Sequence, residues 1–296
     1  MKKFNFNFGD IAILLAAGLW GCISIFTRSM FDLGFTPVQT VAVRAFITAL
    51  VMLIIILIKN PRLLKVSPRD LWLFIGSGIC SFLFFNICYM SSIGENSVSV
   101  ACILMYTSPI WVSLLSAPIF KERMTTKKTI CLIICFSGSA LLCLSGSLKI
   151  TPIGLVCGLL SGFGYALYSI FGKLASKKYN TLTITFYTFL FGSIGALTIC
   201  DIGRLARLAS SPQNIALSLL IAVFCTILPY LLYTYGLSKT PAGKAAVLSI
   251  FEPIIASVVG MTVFAEIPGL FGFVGIAVTV TGIILLEKWT ENQKTR

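Results

Sequence analysis

The 296-residue chain contains no histidine. That removes the commonest general base, the commonest metal ligand and every HExxH or Ser-His-Asp type of site. Charge is scarce as well: 11% of residues are charged, against about 25% in an ordinary soluble domain. A water-facing surface cannot be built from so few charges, so lipid must cover most of the exterior. No Walker motif is present, so nothing in the chain points to ATP drive. Ser161-Gly162-Phe163-Gly164 lacks the order of a nucleophile elbow.

Two apparent abundances carry less than they suggest. The ten cysteines form no metal or disulfide pattern. Most lie inside apolar runs, and Cys131 and Cys135, one helical turn apart, have no further ligand nearby. They read as small packing residues, and neither a metal nor a cofactor is expected. The 23 Lys and Arg against 10 Asp and Glu resemble the balance of a nucleic-acid binder. The basic residues, however, sit in short loops between apolar runs, as in cytoplasmic loops of membrane proteins, so no nucleic-acid partner is expected.

Crossing a ~30 Å hydrocarbon core takes about 20 apolar residues. Ten stretches satisfy this, at 9–27, 37–58, 71–91, 97–119, 129–147, 152–172, 181–200, 214–236, 242–264 and 269–286. The expected fold is therefore all-α and membrane-integral, with the first helix retained rather than cleaved as a signal peptide. With ten spans both termini lie on one side. Placing them in the cytoplasm puts eighteen Lys and Arg in inner segments and four in outer ones, with Arg44 left inside the second helix. The positive-inside rule thus predicts a multi-pass protein of the cell membrane with both termini cytoplasmic.

The chain also repeats itself. Ser24-Ile25-Phe26-Thr27-Arg28 matches Ser169-Ile170-Phe171-Gly172-Lys173 at an offset of 145. Pro109 and Pro253, Phe120 and Phe264, Glu122 and Glu266, and Gly138 and Gly282 match at an offset of 144. The expected division is a first five-helix repeat over 1–148 and a second over 149–296. An odd helix count makes the second copy enter the membrane from the opposite side. Two inverted halves around a pseudo-two-fold axis in the membrane plane suit alternating access.

The layout resembles the drug/metabolite transporter superfamily, specifically its EamA-type ten-helix exporters. The residues that carry the resemblance are Gly18-Leu19-Trp20-Gly21 with Arg28, Arg44, Phe120-Lys121-Glu122-Arg123, Phe251-Glu252-Pro253 and Phe264-Ala265-Glu266. It spans the whole chain. It implies secondary transport, often export, of amino acids, metabolites or drugs through a central cavity. By the same resemblance, helices one, three, four, six, eight and nine line that cavity.

Glu252 is the first candidate. Ten residues into the ninth helix, at 1.5 Å each, it lies about 15 Å deep. Ala245, Ser249, Glu252 and Ala256 would share one small-residue face. An intramembrane carboxylate is costly and reads as functional by default. Three roles fit it: binding a substrate ammonium, carrying a coupled proton, or bonding backbone groups loosened by Pro253. Its counterpart in the first half is Ser108. Arg44 continues a Thr40-Arg44-Thr48 stripe; it attracts a carboxylate, serves a structural or gating role, or snorkels outward. Pro109 and Pro253 fall mid-helix in matched places and are expected to kink their helices, a mark of a transport site or of packing alone. Trp20, Tyr89, Tyr106, Tyr165, Tyr168, Tyr230 and Tyr233 lie within helices rather than at the interfaces, and Ser24, Asn86, Ser108 and Ser249 join them as polar candidates.

The function expected is a secondary transporter of a small solute, an amino acid or related metabolite first, with the bilayer as its medium and protons as a coupling partner through Glu252. A multidrug or organic-cation exporter, a passive channel and, last, a membrane-embedded enzyme are the rivals. The oligomeric state is left open.

Overall fold

The computed structural model describes residues 7–96, 98–122, 125–143, 150–265 and 269–294. Eight helices in it are long and apolar enough to cross a membrane. They are α1 (Phe8–Asp32), α2 (Pro37–Lys59), α3 (Pro68–Glu95), α4 (Val100–Phe120), α6 (Pro152–Ala175), α7 (Thr181–Thr198), α8 (Pro212–Lys239) and α9 (Ala242–Val263). The remaining two, α5 (Thr126–Cys143) and α10 (Leu270–Lys294), pack against each other and complete the ten-helix bundle. Among the described residues there is no β-strand. The repeat partner of Glu122, Glu266, lies outside the described residues.

Helix starts follow local chemistry. Asn7 and Asp10 form a reciprocal capping box at α1, and Thr36 and Gln39 form another at α2. Pro37 and Pro152 each open their helices, where a missing N–H costs nothing. The lipid-facing side is equally local. On α2, Phe46, Leu50, Ile54 and Leu57 are exposed at spacings of four, four and three, while Ala45, Ala49, Met52 and Ile56 are buried. Between α6 and α7, Lys178 pairs with Asp70 at the start of α3 at 2.9 Å. That hydrogen bond holds the Lys178 ammonium above its ordinary range.

The α5–α10 contact shows the two-fold relation of the halves directly. Gly138 on α5 lies against Thr279 and Gly275 on α10, while Gly282 lies against Cys135. Each contact is the other's image at the 144-residue offset. The backbone repeats the same way in less obvious places. α3 contains a π-helical stretch at Gly76–Leu83 and α8 one at Val223–Ile227. Lys121 and Ala265, also 144 apart, are the two non-glycine residues with positive φ among the described residues.

The matched prolines behave differently from the expected mid-helix kink. α4 is interrupted at Tyr106–Thr107 and restarts at Ser108, and α9 passes through a 3-10 turn at Ser249–Phe251 and restarts at Glu252. Each proline therefore sits in the first turn of a restarted helix, where it is tolerated, and the break precedes it. The single face expected along α9 is also broken. The 3-10 turn shifts its register, leaving Ala245 and Ser249 buried but Glu252 and Ala256 half-buried. α1 carries one more break, at Cys22, where no side chain caps the restart; α6, its counterpart, is continuous.

Candidate functional site

Glu252 and Ser108 are the first residues of the two restarted helices, so the repeat puts a carboxyl and a hydroxyl in equivalent places. The Tyr165 hydroxyl on α6 donates to Glu252 Oε2 at 3.4 Å. Gly21 on α1 brings that helix against the same restart: a Cβ there would lie 2.7 Å from the Glu252 carbonyl oxygen. Next to it, a Cβ on Gly18 would meet nothing within 4 Å.

Behind Glu252 lies a tight aromatic cluster. The Trp20 ring centroid lies 6.2 Å from Tyr165, 5.2 Å from Tyr230 and 5.4 Å from Tyr233. Tyr230 is edge-on to Tyr168 at 4.9 Å and to Phe189 at 4.8 Å. Two hydroxyls inside are paired, Tyr168 with Thr234 at 2.6 Å and Tyr233 with Ser169 at 2.8 Å. Ser249 donates to the Ala245 carbonyl, one turn back. The structure thus gathers Trp20, Tyr165, Tyr168, Tyr230, Tyr233 and Glu252 from α1, α6, α8 and α9.

Other candidates stand apart. Asn86 turns its amide into its own helix, donating to the Phe82 carbonyl at 2.7 Å. Tyr89 stacks on Phe85 and bonds Cys102 on α4, joining the two helices. Tyr106 and Ser108 are buried at the α4 break, and Ser24 is half-buried beyond the α1 break. Arg44 does not snorkel: it is 7% exposed, with its guanidinium carbon 5.6 Å from the Phe82 ring.

Sequence reasoning missed the residues that close the N-terminal face. Lys244, counted only among the inner-side basic residues, lies in the first turn of α9 and is buried against Asp10 of α1 at 2.9 Å. Asp10 also accepts from the Thr240 hydroxyl at 3.0 Å. Glu122, at the end of α4, accepts from the backbone N–H groups of Ala242 and Gly243, capping α9 from another helix. Lys173 of α6 donates to the carbonyls of Leu237 and Thr240. The signal available was an Asp in the first turn of one span and a Lys in the first turn of another. Nothing in either segment says that they meet.

Ten helices in two matched halves, with polar and aromatic residues gathered near their breaks, describe a multi-pass membrane protein. The sequence pattern of the EamA-like transporter family matches residues 7–144 and again residues 152–287, and the chain belongs to that family, within the drug/metabolite transporter superfamily. An "uncharacterized transporter" of Archaeoglobus fulgidus is 28% identical over 285 residues, covering 96% of this chain and 97% of its own. Another, YdfC of Bacillus subtilis, is 27% identical over 275 residues, covering 91% and 87%. A solved crystal structure superposes with a TM-score of 0.80 at 15% identity, covering 96% of this chain and 98% of its own, which speaks to the fold. The protein is a membrane transporter.

Proposed function

We propose that the protein is a secondary active transporter that exports a small solute, an amino acid or related metabolite, across the cell membrane by alternating access. Both termini lie in the cytoplasm in this reading, following the eighteen-to-four split of basic residues. The observation that carries it is Glu252, a carboxylate at a helix break beneath an aromatic wall. Broken helices in matched positions supply the polar groups and the hinge that a midplane site needs. Glu252 binds the ammonium of the solute, and Trp20, Tyr165 and Tyr230 shape the space around its side chain. Protonation of the same carboxyl is the simplest means of coupling.

Counterflow in proteoliposomes preloaded with amino acids and metabolites tests this. Saturable accumulation of a labelled solute, dependent on its internal partner, is expected; Glu252→Gln should abolish it while inserting normally. Flux that does not saturate would make the protein a channel. Accumulation restricted to organic cations would favour the drug-exporter reading, which the same carboxylate and aromatic rings also suit.

A further inference from the structure

Arg44 is a buried charge that the protein leaves incompletely satisfied. It sits within α2, with its Nε buried and without a hydrogen-bond partner, and its guanidinium makes no ion pair among the described residues. Phe82 offers it only a ring face at 5.6 Å. A buried charge left in this condition is costly, and native structures hold such groups where something else completes them.

The fold does not need a charge there. At the 144-residue offset Arg44 corresponds to Thr188 on α7. Thr188 closes its junction with α3 through a neutral hydroxyl pair, 2.6 Å from Ser77. The same junction in the other half is thus made without a cation. Where Arg44 lies is equally telling. Phe82 lies in the last turn of the π-helical stretch of α3 and is 6.2 Å from Tyr230. Tyr230 is in turn 5.2 Å from Trp20. Arg44, through Phe82, and Glu252, through Tyr165, therefore border one aromatic cluster.

We infer that Arg44 is the anion pole of the transport site, and that the solute carries a carboxylate that becomes the missing partner of its guanidinium. The inference rests on the transporter reading and adds the charge of the cargo to it. A guanidinium and a carboxylate pair in a fork with two parallel hydrogen bonds, which no neutral amide reproduces. Trp20 and Tyr230 link the two poles through ring contacts, and they turn aside when a zwitterion engages both. The breaks at Cys22 and at Val223–Ile227 supply local freedom for that movement.

The test uses purified full-length protein and thermal unfolding, first without ligand. Arg44→Gln is expected to melt no lower than the wild type, because it removes an unpaired charge; a clear drop would make Arg44 structural. The second readout titrates free L-amino acids, their carboxamides, propionate and benzoate. The wild type should bind at least one carboxylate about 30-fold or more tighter than the matching amide. That preference should collapse in Arg44→Gln and return in part in Arg44→Lys. An amino acid bound no better than its amide would overturn the inference and leave the substrate reading standing. Benzoate bound by the wild type with no amino acid bound would do the reverse. No carboxylate bound by the wild type would sink both, and neither wild-type comparison depends on a variant that folds.

Discussion

The Asp10 carboxylate and the Lys244 ammonium meet at 2.9 Å between the first and ninth helices, both almost fully buried. In the other half their counterparts are Leu155, at the 145-residue offset of the first helix, and Val100, at 144, which cannot form an ion pair. On that face Asn96 instead accepts from the Thr151 backbone N–H at 2.9 Å. One face of the bundle is thus held by charge and the other by an amide. Removing either partner breaks a buried ion pair in a dry site. Asp10→Asn and Lys244→Met should each lower stability by about 3–5 kcal/mol, and the double variant should lose clearly less than the two together. Denaturation in detergent reads this directly; single variants that melt like the wild type would show that the pair closes nothing.

Two neighbouring glycines on α1 should respond in opposite ways. Gly21→Ala places a Cβ 2.7 Å from the Glu252 carbonyl oxygen, so α1 must move off the α9 restart. Gly18→Ala meets open space. Transport by Gly21→Ala is expected to fall at least about tenfold, as misplaced site geometry does, with Gly18→Ala near wild type. Equal activities would place the α1–α9 contact outside the transport cycle.

The α5–α10 seam offers a graded stability test. In Gly138→Ala the new methyl lies 2.6 Å from the Thr279 backbone nitrogen, which cannot step aside. In Gly282→Ala the closest backbone atom, the Cys135 nitrogen, is 3.1 Å away, and the tighter contact is a side-chain sulfur. Overpacking should cost roughly 1–3 kcal/mol, with Gly138→Ala the worse. Melting temperatures in the reverse order would contradict the packing.

Glu122→Ala removes the acceptor from two N–H groups at the start of α9. A loss of about 1–2 kcal/mol is expected, with Glu122→Gln intermediate because its amide oxygen still accepts. Hydrogen exchange at Ala242 and Gly243 should rise in step. Unchanged protection there would mean that the cap forms without Glu122.

Much of the architecture was legible because membrane insertion is a local matter. Each span needs its own apolar run, and the runs of α2 and α6 announce themselves. The duplication was legible for a similar reason: Gly138 and Gly282 are kept by a contact that each makes with the other's helix. Pro109 and Pro253 signalled the matched breaks but not their position. A proline says only that one N–H is missing, and which turn gives way depends on what packs beside it. The π-helical stretches of α3 and α8 had no signal at all, since α3 makes its own without a proline.

The site divides along the same line. The sequence by itself determined the ten apolar helices, the repeat and the presence of a carboxylate and a guanidinium within them, because hydropathy and periodicity act through neighbours along the chain. It took the tertiary structure to set Tyr165 against Glu252, to bury Lys244 on Asp10 and to leave Arg44 without a partner. Those outcomes depend on which faces of distant helices meet, and a helix's own residues do not specify its partner when lipid and protein are equally apolar.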